Sequence, residues 1–176
     1  MDAGLLIVRL VVGLTLAGHG AQKLSVWSGG AGLSGTAAYI EKIGYRPGKL
    51  FGAALGVAET LGGLFLAVGF LTPLSAAALM SAMAGAALSS HVKNGFWNTK
   101  GGYEYTLTLG GVAAGIAFTG AGSYSLDHLL GWDLGGMWWG ELAVALALAA
   151  SIAIETYRHQ QLARLQAVRE PSSAAD

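Results

Sequence analysis

The sequence predicts an all-α, polytopic membrane helical bundle with a four-helix core and an added fifth transmembrane helix. Three observations lead there. Five apolar runs, near Leu5–Leu24, Leu50–Leu71, Pro73–Ser90, Glu104–Gly120 and Met137–Tyr157, cover most of the 176 residues. Each is close to the roughly 20 helical residues that cross a bilayer. Hydrophobic residues make up 53% and charged residues only 11%, where soluble domains carry about 25% charged. The positive charges are also segregated. Threading the chain through five crossings puts nine of its ten Lys and Arg residues on one side. These are Lys23, Lys42, Arg46, Lys49, Lys93, Lys100, Arg158, Arg164 and Arg169. By the positive-inside rule that side is cytoplasmic. A bacterial inner membrane, with the amino terminus outside and the carboxyl terminus inside, is therefore expected.

The elements follow in order. The first run exceeds a typical signal core and is preceded by Asp2 instead of a basic region, so it reads as a retained helix. The connection Ser25–Lys49 opens with Gly29, Gly30, Gly32 and Gly35. Within it, Thr36–Ile43 reads as a short interfacial helix, capped by Ser34 and stopped by Gly44, or as a loop. Thr72 can cap the third run and Pro73 fits its first turn, so runs two and three form a tight hairpin. The connection His91–Tyr103 carries Phe96, Trp97, Gly101 and Gly102. The next, Ala121–Gly136, is acidic through Asp127 and Asp133. Its Tyr124 and Trp132, with Trp138 and Trp139 beyond, suit a water–lipid boundary. The tail after Arg158 is polar and expected to be mobile beyond Pro171. This divides the chain into a core over 1–127, a connection and fifth helix over 128–158, and a cytoplasmic tail over 159–176.

Small residues mark the packed faces. Gly52, Gly56, Glu59 and Gly63 share one helix face; so do Ser81, Gly85 and Ser89, and so do Glu104, Thr108, Gly111 and Gly115. Small residues let helices approach closely in lipid, so all three stripes are expected to face protein. Exposed glycine faces would also permit a homodimer.

Ionisable groups in a span are costly, roughly 2.5–3.5 kcal/mol for a central Arg or Asp. Arg9, His19, Glu59, Glu104 and Glu141 therefore need partners. Counting depth along the runs pairs Arg9 with Glu59, with Glu141 as a competing partner. Such a pair is either structural or leaves Glu59 as a proton carrier. A second group gathers at the inner rim: His19, Gln22, Lys23, His91, Tyr103 and Glu104. Imidazole can move protons near neutral pH, and the donors and rings could hold a quinone head group or another lipid. No one-helix His spacing suggests a metal. Without cysteine there is no thiol or iron–sulfur chemistry, and no haem or flavin site is evident. Zero net charge argues against nucleic acid.

Several segments together resemble the DoxX family of membrane proteins, in its actinobacterial type. His19-Gly20-Ala21-Gln22-Lys23 resembles its HGxQK signature, and Gly56-Val57-Ala58-Glu59 with Gly62-Gly63 its GxxE…GG. Leu71-Thr72-Pro73 is similar to its hairpin. His91, Gly95-Phe96-Trp97 and Gly101-Gly102-Tyr103-Glu104-Tyr105 resemble its next segment, and Tyr124-Ser125-Leu126-Asp127 its closing YSLD. Arg9 stands where the family has an arginine. The likeness covers about Leu5–Asp127 and leaves the fifth helix outside.

The resemblance implies a four-helix membrane core and an association with redox systems. Relatives accompany terminal oxidases and thiosulfate:quinone oxidoreductases, or a membrane assembly with superoxide dismutase and a sulfurtransferase. The expected function is a small membrane subunit of a redox or oxidative-stress complex, binding a quinone or other lipid at its inner rim without self-sufficient catalysis. The alternatives are a scaffold for soluble redox enzymes or respiratory subunits, and a carrier for a lipid or small acid.

Overall fold

In lipid a backbone finds no water for its N–H and C=O groups, so an apolar run must satisfy them within its own helix. The computed structural model, which describes residues 2–169, follows that rule. Seven α-helices are formed: α1 (Asp2–Leu24), α2 (Gly32–Lys42), α3 (Gly48–Val68), α4 (Thr72–Ala86), α5 (Glu104–Thr119), α6 (Leu126–Leu129) and α7 (Met137–Arg169). A π-helical turn, Ala87–His91, continues α4. The expected mobile end beyond Pro171 lies outside the described residues.

Among the described residues, four helices can cross a membrane by length and composition: Asp2–Leu24, Gly48–Val68, Thr72–Asn94 and Met137–Val168. The expected fourth span, α5, has only 16 residues, about 24 Å of helix. It nonetheless runs the depth of the bundle. Its first turn reaches His19, near the end of α1, and the loop after it reaches Arg9, near the start of α1. Helices α1, α3, α4 and α5 pack in sequence around a ring, and α5 meets α1 to close it. The ring encloses Leu16, Leu66, Leu79, Leu109, Ala113 and Ile116. Helix α7 packs outside α4 and α5, and α2 covers one end of α1 and α3. Apolar side chains such as Ile7, Val11, Leu64, Leu107 and Ile152 face outward, as a lipid-exposed surface requires.

The glycine stripe of α3 behaves as expected. A Cβ on Gly63 would meet backbone of Gly13 and Ala17, and one on Gly20 would meet Gly56 and Thr60. These helices touch backbone to backbone, which only glycine permits. The stripe of α5 does not behave as expected. Thr108, Gly111 and Gly115 are exposed, and a Cβ on Gly111 or Gly115 would meet nothing within 4 Å. The buried face of α5 is instead Thr106, Leu109, Ala113, Ile116 and Ala117. Small size permits a helix contact without requiring one, and here larger apolar residues hold the core.

Three further expectations change. Helix α2 begins at Gly32, so Ser34 lies inside it, while Gly44 (φ +106°) ends it as anticipated. Thr72 does not cap α4. The capping oxygens belong to Asp127, which accepts from Leu71 N (2.8 Å), Thr72 N (3.0 Å) and Thr72 Oγ1 (2.6 Å). Finally, helix α7 does not stop at Tyr157 but continues to Arg169, because Arg158-His159-Gln160-Gln161-Leu162 contains no breaker.

Past the depth of the core, α7 is tied to the α2–α3 connection. Tyr157 stacks on Phe51 at 5.3 Å and donates to Arg46 O (2.7 Å). Arg158 donates to Ile43 O (2.6 Å) and lies over the Tyr45 ring. The Tyr45 hydroxyl donates to Glu155. Burial, reinforced by that carboxylate, holds the Tyr45 phenol protonated above the ordinary tyrosine range. A raised folded-state pKa gives stability that is present below about pH 10, the unfolded value, and lost as pH rises above it. Tyr45→Phe is expected to cost about 1 kcal/mol at neutral pH. It should also flatten the alkaline fall in Tm, measured by thermal unfolding in detergent between pH 7 and 11.

Candidate functional site

The register of α1 against α3 decides where the buried charges meet. Gly13 faces Gly63 and Ala67, and Gly20 faces Gly56 and Thr60. Arg9 is therefore level with the top of α3, near Gly69, while Glu59 is level with Ala17–Gly20. The two lie about ten residues apart along the axis, roughly 15 Å. The expected Arg9–Glu59 pair does not form. Depth counted from the ends of the apolar runs ignored this stagger between the helices. The alternative partner Glu141 is exposed on α7.

Arg9 is fully buried. Its guanidinium donates to Ala121 O and Tyr124 O, and Asp127 supplies the opposing charge through space. Asp127, 3% exposed, is in turn the cap of α4. Its own N–H donates to Gly69 O (2.8 Å). Arg9 thus fastens the loop after α5 to α1, and Asp127 fastens it to the α3–α4 hairpin. The hydrogen bonds they make are to backbone or to Thr72, so this end of the molecule reads as a structural clasp.

The other end, which carries Lys23, Lys93 and Lys100, holds a different arrangement. Glu59, 2% exposed, pairs with Lys23, whose side chain is 27% exposed. Lys23 also approaches His19 O at 3.5 Å. One turn earlier on α1, His19 Nε2 lies 3.2 Å from the Tyr105 hydroxyl of α5, with the rings edge to face. Lys23, Glu59, His19 and Tyr105 therefore join three helices of the ring. The carboxylate of the pair is buried, and its lysine is partly exposed.

The remaining rim residues divide differently. His91 Nδ1 bonds Gly101 O at 2.8 Å, and Glu104 Oε2 accepts from Asn98 N at 2.9 Å. Tyr103 packs edge to face against Phe96. These three fold the α4–α5 connection onto itself. Gln22 is exposed on α1. Tyr105 was legible only as a neighbour of Glu104, because its role depends on how α5 turns toward α1. Tyr45 and Glu155 gave no sequence signal, since their contact joins segments 110 residues apart.

A bundle of long apolar helices with outward apolar faces and inward charge pairs defines a polytopic helical membrane protein. The model of the DoxX family matches residues 4–92, and the chain belongs to that family. The match takes in α1–α4, with Arg9, His19, Lys23 and Glu59, and ends before α5. No curated protein and no solved structure matches the chain.

Proposed function

We propose that this DoxX-family protein is a small membrane subunit of a redox complex, binding the polar head of a quinone at the His19–Lys23–Glu59–Tyr105 network. In this reading the basic end faces the cytoplasm of a bacterial inner membrane. The observation that carries it is a buried carboxylate reached from the surface through a single lysine, with an imidazole and a phenol one turn away. Reduction of a quinone consumes protons along with electrons, and this group can supply them. With no cysteine in the chain, the electrons would come from a partner subunit. The extension of α7 beyond the bundle favours a second reading, a docking helix that recruits such a partner.

A short-chain quinone titrated into the protein in nanodiscs tests the first reading. Saturable binding is expected, at least tenfold weaker in His19→Ala and in Lys23→Met, and unchanged in His91→Ala. No saturable binding, or equal binding by all variants, would refute the site. Equal capture of a soluble partner with and without residues 158–169 would remove the docking reading.

A further inference from the structure

On the far side of α5 from Tyr105, an open cleft of about 240 Å³ lies between α4, α5 and α7. Its walls are apolar, from Met83 and Ala87 on α4, Leu107 and Gly110 on α5, and Val144 and Leu148 on α7. Tyr103 forms one end. There the Tyr103 N–H donates to Gly95 O (3.1 Å), which folds the connection bearing Lys93 and Lys100 over that end. Both lysines are exposed.

The glycines of α5 are the second observation. Gly13, Gly20 and Gly63 are required because another backbone presses on them. Gly111 is not, since a Cβ there meets nothing within 4 Å, and one on Gly110 makes only ordinary contact, 3.5 Å from Met83. A glycine inside a helix costs about 0.5–1 kcal/mol relative to alanine. At Gly110 and Gly111 no helix contact offsets that cost; what their missing side chains create is the cleft.

We propose that the cleft binds one acyl chain of an anionic phospholipid, whose head group lies against Lys93 and Lys100. The cleft opens on a surface that faces lipid, and the connection beyond its Tyr103 end carries Lys93 and Lys100, while the neighbouring Glu104 carboxylate is held by Asn98 N (2.9 Å). Cations at this position attract anionic head groups. The bound chain fills the seam between α7 and the ring, so the lipid acts as a strut for the fifth helix. The site is independent of the quinone network on the opposite side of α5.

Native mass spectrometry of protein released from bilayers of phosphatidylglycerol and phosphatidylcholine tests this. Wild type is expected to retain one phosphatidylglycerol. Gly111→Leu, whose Cβ meets nothing within 4 Å, adds a side chain at the cleft and should lose it at least tenfold. Lys93→Gln with Lys100→Gln should retain either lipid alike. Gly4→Leu, at another open glycine in the first turn of α1 and away from the cleft, should behave as wild type, and circular dichroism checks that each variant is folded. Retention by Gly111→Leu, or no lipid on wild type, would overturn the proposal. A dimer mass lost in Gly111→Leu would make a second copy the occupant and overturn it equally. Quinone binding by Gly111→Leu should be normal, which separates failure here from failure of the quinone site.

Discussion

Asp127→Ala is expected to destabilise the bundle by about 3–5 kcal/mol, a cost typical of breaking a buried charged arrangement. The carboxylate accepts three hydrogen bonds at the start of α4. A bond to a charged group contributes about 1.5–3 kcal/mol, and alanine leaves the buried donors unsatisfied. The substitution also strands Arg9, which is fully buried and has Asp127 as its opposing charge. Arg9→Met should be damaging for the complementary reason, freeing Ala121 O and Tyr124 O. Because both residues hold the same loop, their effects should couple by about 0.5–3 kcal/mol in a double-mutant cycle. Chemical unfolding in detergent measures this. A change below about 0.5 kcal/mol for Asp127→Ala would show that the clasp does not hold the fold.

Lys23→Met should have the second largest effect, again about 3–5 kcal/mol when Glu59 is left buried without its partner. Lys23→Met combined with Glu59→Leu should restore most of the loss at neutral pH, since an apolar pair of similar volume can replace a buried ion pair. Quinone binding should not return with it. That split between recovered stability and absent binding distinguishes a ligand site from a structural pair. A double variant that binds normally would assign Lys23 and Glu59 a purely structural role.

The class of fold was legible because lipid imposes one rule on every span, and run length with charge segregation reports it. Individual contacts were less legible. The α1–α3 seam could be read from Gly56 and Gly63, where backbone touches backbone. The same pattern misled at Gly111, which opens a cleft. The partners of Arg9 and Glu59 depend on the stagger of two helices, which run lengths do not define; about ten residues separate them along the axis, which sends Arg9 to Ala121 O and gives Glu59 to Lys23. His19 and Lys23 fall at one end of α1, but the neighbour of Lys23 depends on the register of α3 and that of His19 on the rotation of α5. His91 and Glu104 belong to that end too, yet close their hydrogen bonds inside their own connection. The length of α7 is not legible from hydropathy, because the residues after Arg158 are polar although nothing in them breaks a helix.

The most direct test is the quinone content of the protein purified from its native membrane, quantified by extraction and mass spectrometry against protein amount. The account predicts close to one quinone per chain in wild type, near-complete loss in Lys23→Met and His19→Ala, and full retention in His91→Ala and Gly111→Leu. Absence of quinone from the wild type, or its retention in Lys23→Met, would contradict it.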